Sequence, residues 1–367
     1  MRSRFLPLLP AIVLSACLLH EMPNTMTGPL PPEQRNEALT SALQAHVHKL
    51  AVDIGQRSYL APQRLERAAA YIQGQFAGMA SAPTTTVRVL GYHLKELTPS
   101  HRGHCNKPSC TPEVKSDAEI DATIASIEFK NIEFEVKGTA HPEEIIVVGA
   151  HYDSDSCESG GCNPAADDNG TGVASLIELA RMFKDHPMPK TIRFVAFTNE
   201  EEPFFQTDDM GSYVYAKTSL APGERVTAMY SLETMGYYSD KPKSQDVPWI
   251  MGVLFDLPTV GNFITFVGNW DSEPLVLESL AGFRRSVAFP SEGLVTYASV
   301  EGVDWSDQWG YWKLGIPAVM ITDTAPNRNP CYHKACDTPD VLDFDKLARV
   351  TQGLRGMLQM MSRKTTK

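Results

Sequence analysis

Acids and imidazoles recur in this chain directly after apolar runs. His151-Tyr152-Asp153 follows the run 145–150, Asn199-Glu200-Glu201-Glu202 follows 191–197, and Glu233 follows 228–232. Ala166-Asp167-Asp168-Asn169-Gly170-Thr171-Gly172 opens a helical pattern, and His333 lies in the loop after a run ending at Thr322. Singly, each has an ordinary reading: Asp168 caps the helix it precedes, Glu200 or Glu201 is solvated surface, and His333 is a surface histidine. Gathered at one edge, however, bare carboxylates repel one another. A cation resolves the conflict, and mixed His/Asp/Glu ligation favours zinc or a similar transition metal.

Such gathering needs elements that end together. Amphipathic helical patterns at 37–50 and 62–79 lead into strand patterns at 86–94 and 130–137. The buried-strand run 145–150 is followed by a helix over 171–184, the strand 191–197 by a helix near 210–217, and the strand 228–232 by a long irregular segment. A helix near 273–284, the strand 318–322 and a helix over 343–361 complete the series. This rhythm predicts an α/β fold: a mostly parallel twisted sheet with helices on both faces, as one catalytic domain spanning 37–367. In such sheets ligands sit beyond the carboxyl ends of the strands, where the acids and histidines fall.

Composition sets the outer limits. Of 367 residues, 33 are Lys or Arg and 44 Asp or Glu, a formal charge of -11 that argues against the basic face nucleic acids require. At 43% apolar and 21% charged the chain reads as soluble and globular. Met1-Arg2-Ser3-Arg4 followed by the apolar run 5–16 has the form of a secretory signal. It ends in Leu14-Ser15-Ala16-Cys17, which resembles a bacterial lipobox. The expectation is a signal at 1–17, a lipid on Cys17 as the sole membrane contact, and a proline-rich tether at 18–36. With Leu18 and Leu19 after the cysteine there is no Asp-type retention signal, so the periplasmic face of the outer membrane is the expected location. The remaining six cysteines repeat one spacing: Cys105 and Cys110, Cys157 and Cys162, Cys331 and Cys336. Three local disulfides suit an exported chain, whereas C-x4-C is loose for a zinc knuckle.

Seven strings, in order, resemble the co-catalytic di-zinc exopeptidases typified by the bacterial leucyl aminopeptidases. They are G-A-H-Y-D-S (149–154), A-D-D-N-G-T-G (166–172), F-V-A-F-T-N-E-E-E-P (194–203), M-G-S (210–212), S-L-E-T-M-G (231–236), G-I-P-A-V (315–319) and Y-H-K-A-C-D-T-P-D (332–340). Together they reach from roughly 130 to 350, the usual extent of one domain. The resemblance implies two zinc ions per chain. His151 and Glu233 fall to one ion, Glu201 and His333 to the other, and Asp168 bridges them, with Asp153 orienting a histidine. Glu200 matches the general base, drawing a proton from a hydroxide-forming water between the ions and passing it to the departing amine. Substrates are then peptides with a free amino terminus.

Phe204, Phe205, Trp305, Trp309 and Tyr311 are candidates for a side-chain pocket. Ser306-Asp307-Gln308 stands where the family has Ser-Asp-His, which makes Gln308 a possible substrate contact able to donate a hydrogen bond but not to carry a proton. Two other functions remain open on this fold. One is a glutaminyl cyclase with a single zinc; the other is a non-catalytic binding lipoprotein. Asn169-Gly170-Thr171-Gly172 after Asp168 favours the peptidase over the cyclase, and the intact Glu200 argues against a merely binding scaffold.

Overall fold

The buried apolar runs become strands because their side chains find cover on both faces, as a central parallel strand requires. The computed structural model of the protein describes residues 17–18, 36–80, 83–94, 116–156, 162–247 and 258–364. Among these, nine strands form one sheet: β1 (Cys17–Leu18), β2 (Thr85–His93), β3 (Glu128–Val136), β4 (His141–His151), β5 (Lys190–Phe197), β6 (Arg225–Glu233), β7 (Ile264–Asn269), β8 (Ser291–Thr296) and β9 (Ala318–Thr322). Their spatial order is β1-β8-β7-β9-β6-β4-β5-β3-β2. The central strands β9, β6, β4 and β5 run parallel, as does the β7–β8 pair, while β2, β3 and the two-residue β1 are antiparallel additions.

Among the described residues eight α-helices flank the sheet: α1 (Glu37–His48), α2 (Pro62–Ala77), α3 (Asp117–Ala125), α4 (Gly172–Phe183), α5 (Gly211–Thr218), α6 (Glu273–Ser286), α7 (Gln308–Trp312) and α8 (Phe344–Arg363). The larger core joins α1, α2, α4, α6 and α8 to one face, around Phe134, Ile146, Val148, Phe194, Tyr230 and Leu354. A smaller core on the other face holds Ile145, Val147, Val195, Phe197 and Tyr215. Alternate residues of β4 and β5 thus feed opposite layers, the period-2 signature of a strand covered on both sides. No described helix is long and apolar enough to cross a membrane.

The expected α/β fold is the observed one. Differences lie in the segment read as irregular after 232, which contains β7, in the unassigned stretch between the helix near 273–284 and the strand 318–322, which contains β8, and in α3 and α7, which the apolar pattern did not announce. The signal and most of the tether lie outside the described residues, apart from Cys17 and Leu18, which pair with Val295 and Leu294 on the sheet edge.

Candidate metal centre

The parallel strands deliver their last residues to one edge. β4 ends on His151, β6 ends on Glu233, and β5 ends just before Glu200 and Glu201. Asp168 lies in the turn that opens α4, and His333 in the loop between β9 and α8. Five of these residues are buried: His151, Asp168, Glu200, Glu201 and Glu233.

Asp168 stands between the two imidazoles. Its Oδ1 is 3.4 Å from His151 Nε2 and its Oδ2 is 2.9 Å from His333 Nε2. Glu233 Oε2 lies 3.2 Å from His151 Nε2, on the first side, and Glu201 Oε2 lies 3.5 Å from His333 Nε2, on the second. Glu200 Oε2 is 3.7 Å from His151 Nε2. Asp153 faces the other ring nitrogen of His151 at 3.7 Å and accepts the backbone N–H groups of Glu200 (3.2 Å) and Glu201 (3.0 Å). One carboxylate therefore holds the backbone of two glutamates while facing His151. The structure brings together all seven residues to which the sequence assigned metal or proton chemistry.

Bonds between distant parts of the chain hold the loops that carry them. Asn169 receives the N–H groups of Gly172 and Thr234 and donates to the Leu232 carbonyl, tying the Asp168 turn to the end of β6. A Cβ on Gly172 would collide with Asn169 Oδ1 and the Leu232 carbonyl, so only glycine permits that approach. Asp337 accepts the N–H groups of Asp167 and Asp168, and Asn329 donates to Asp167, so the His333 loop is bound to the Asp168 turn. The guanidinium of Arg57, fully buried, donates to the carbonyls of Tyr152, Pro164 and Ala165, the backbone on either side of the His151–Asp168 connection. Thr234 and His333 hold φ angles of 39° and 57°. Such left-handed backbone costs a non-glycine residue on the order of 1 kcal/mol and persists where surroundings dictate it.

Arg57 and Asn329 were not singled out from the sequence, and Asn169 and Asp337 lay within the family strings without a bonding role. Ser306, named beside Gln308 but given no role, donates its hydroxyl to Glu233 Oε2 at 2.7 Å. The Gln308 expectation needs correction: its amide donates to the Val303 carbonyl and lies 3.6 Å from Met320 Sδ, so its donor is committed inside the fold and no bond joins it to the candidate ligands. The aromatic expectation also divides. Phe204 is core, packed edge-on against Tyr59 and Phe129; Tyr311 is fully buried; Trp309 packs on Tyr213 under Lys313. Trp305 is exposed beside Ser306, and Phe205 is half-buried. Cys331 and Cys336 are disulfide-bonded with Cα atoms 5.2 Å apart, bracketing His333. Cys162 is also disulfide-bonded, while Cys105, Cys110 and Cys157 lie outside the described residues.

The electrostatics of the pocket ask for cations. Burial first, then Glu233, Asp307 and Asp153, push Glu200 well above the usual carboxylate range, with His151 opposing. Burial and Asp168 do the same to Glu201. Asp168 moves the other way: burial alone would raise it, but the two imidazoles hold it below its usual value. Buried Glu201 Oε1 accepts no hydrogen bond. Acceptors left over in a desolvated, acid-rich pocket are costly unless a positive ion takes them, so the residues present fit a divalent metal. The donor atoms fall into groups of three within 4.8 Å of one another, among them His151, Asp168 and Glu233.

Residues 131–358, more than half of the chain, match the model for Peptidase family M28. The chain belongs to peptidase family M28. A relative in Escherichia coli K12, described as uncharacterized protein YfbL, is 39% identical over 253 residues, 67% of this chain and 76% of its own length. A probable leucine aminopeptidase of Arthroderma benhamiae is 29% identical over 238 residues, 60% of this chain but only 55% of its own length. Among solved structures, the zinc aminopeptidase BSAP of Bacillus subtilis gives a TM-score of 0.62 at 16% identity, covering 88% of this chain and 95% of that one. A glutaminyl cyclase of Bacteroides thetaiotaomicron gives 0.59 at 14% identity, covering 87% and 97%. At these identities the structural likeness is one of fold. M28 membership makes the chain a metallo-exopeptidase by family, and the bond it acts on is a matter for the site itself.

Proposed function

We propose that this M28 chain is a zinc aminopeptidase that hydrolyses the first peptide bond of peptides with a free amino terminus. The observation that carries this reading is Asp168, whose two carboxylate oxygens face different imidazoles, each accompanied by its own glutamate. A bridging carboxylate between two such sets suits two ions: His151 and Glu233 would hold one, Glu201 and His333 the other. Bound there, paired zinc ions supply Lewis acidity toward the scissile carbonyl and bring the pKa of a water to about 7.

The chain's own residues do the rest. Glu200, next to His151 and held through its backbone N–H by Asp153, takes the proton of the attacking water and returns it to the departing amine. Buried carboxyls at Asp153, Asp155, Asp168, Glu200, Glu201, Glu233 and Asp307 outnumber the charges two divalent ions and Arg57 bring. The pocket so remains attractive to the ammonium of a substrate's amino terminus. Cys162 and the Cys331–Cys336 bridge support an oxidising compartment, in keeping with export and acylation at Cys17; intact mass of the mature amino terminus tests that anchor.

The competing reading is a single-zinc glutaminyl cyclase, favoured by the cyclase neighbour's nearly equal TM-score. A panel of aminoacyl and glutaminyl substrates, with and without chelator, separates the two. Chelator-sensitive release of amino-terminal residues, lowered about 100-fold or more by Glu200→Gln at unchanged zinc content, supports the peptidase. Cyclisation of glutaminyl substrates without peptide hydrolysis refutes it.

A further inference from the structure

Beyond the five candidate ligands lies a further carboxylate that the family strings do not include. Asp155 is 1% exposed, and one of its oxygens forms a group with Glu201 and His333 in which all donor atoms lie within 4.8 Å of one another. Glu201, 5% exposed and a member of the same group, has an Oε1 that accepts no hydrogen bond. Asp155 is held there by the turn before α2. Ser154 donates its N–H to the Arg57 carbonyl (2.9 Å) and receives the Arg57 N–H on its hydroxyl (2.8 Å), a reciprocal pair that folds the segment after His151 back toward the pocket. Asp155 has a different task from Asp153, which spends both oxygens on the backbone N–H groups of Glu200 and Glu201.

We propose that Asp155 is a metal ligand, completing with Asp168, Glu201 and His333 a carboxylate-rich position that prefers a harder, higher-coordinate cation than its neighbour. This rests on the metal-centre reading above. The His151 position has one imidazole and two carboxylates, Asp168 and Glu233; the His333 position has one imidazole and three. Oxygen donors suit ions such as Mn2+ that accept six ligands, whereas imidazole with few carboxylates suits tetrahedral zinc. The two positions are therefore unequal, and the Asp155 position tolerates Mn2+ where the other discriminates against it.

Chelator-competition titrations of the metal-free full chain with Zn2+ and with Mn2+ test this without any activity readout. For Asp155→Asn, one class of site weakens on the order of 100-fold and loses Mn2+ binding while the other keeps its affinity. For Asp155→His, zinc binding at that class is retained but its preference for Mn2+ over zinc falls. Should Asp155→Asn not fold, as judged by circular dichroism of the metal-free protein, the histidine variant carries the same decision. Unchanged zinc and manganese affinities overturn the proposal. So do unchanged metal affinities combined with weaker binding of a free amino acid, which gives Asp155 to the substrate's ammonium instead. A wild type with a single class of ion sinks the two-ion reading yet leaves Asp155 a ligand if that class is the one that weakens. A wild type that binds neither metal overturns both.

Discussion

Arg57→Ala probes the site from behind, without touching a candidate ligand. The guanidinium donates to five carbonyls: Nε to Tyr152 at 2.7 Å, Nη1 to Leu50 at 3.1 Å, Gly55 at 3.2 Å and Pro164 at 2.8 Å, and Nη2 to Ala165 at 3.0 Å. A net contribution of about 1 kcal/mol per bond gives roughly 5 kcal/mol, before allowing for the desolvation that replacing a buried cation relieves. That desolvation is visible in Arg57 itself, since burial outweighs the attraction of Asp337, Asp153 and Asp168 and brings its pKa down to about 10. The balance is a loss of about 3 kcal/mol, or on the order of 5 °C in melting temperature for a chain of this size. Metal affinity should fall as well, because the loops presenting His151 and Asp168 lose their shared clamp. Arg57→Lys keeps the charge but offers three donors from a single point, so it should recover only part of either quantity. Differential scanning calorimetry in chelator reads the first effect and zinc competition the second. An Arg57→Ala protein that melts with the wild type and binds zinc as tightly refutes the clamp.

Three further outcomes follow from the same geometry. Asp168→Ala should lose both ions together, since its oxygens face both imidazoles; metal analysis showing one ion retained would falsify the bridging role. Glu201→Gln should lower zinc content as well as turnover, and the reverse pattern with Glu200→Gln would mean that the two glutamates exchange roles. Glu178, buried against His46 Nε2 at 2.9 Å and Arg181 Nε at 3.0 Å, is held below its ordinary 4.5 although burial alone would raise it. A depressed carboxyl stabilises the fold above its unfolded pKa and loses that contribution as pH falls through its folded one. The stability gap between wild type and Glu178→Gln, measured by urea unfolding, should hold above pH 4.5 and shrink below it.

What could be read from the chain depended on where each residue finds its partner. β4, β5, β6 and β9 announce themselves because both faces are covered and the runs are continuously apolar, and His151 and Glu233 follow at their ends. β8, Ser291-Glu292-Gly293-Leu294-Val295-Thr296, lacks such a run, and β7 ends in Gly268-Asn269, so both passed for loop. α3 carried a signal that hydrophobic period missed: Ser116 and Glu119 form a reciprocal capping box at its start. The bonding roles of Arg57, Asn169, Asn329 and Asp337 were illegible for a different reason. These residues bind backbone groups, and backbone groups have no letter in a sequence. Gln308 erred in the opposite direction, since its neighbours Ser306 and Glu233 are bonded while its own amide turns to Val303.

Asp168 owes its place to Asp337, which accepts its N–H from 169 residues further along the chain. That separation imposes an order on maturation. Until residue 337 is made, the turn at Asp168 lacks the side chain that accepts its backbone N–H. Domains close as units once their distant segments are present, and ligands scattered over such a span bind an ion only weakly before then. The identity of the bound metal is therefore decided late, by whichever ions are present where folding finishes rather than where translation begins.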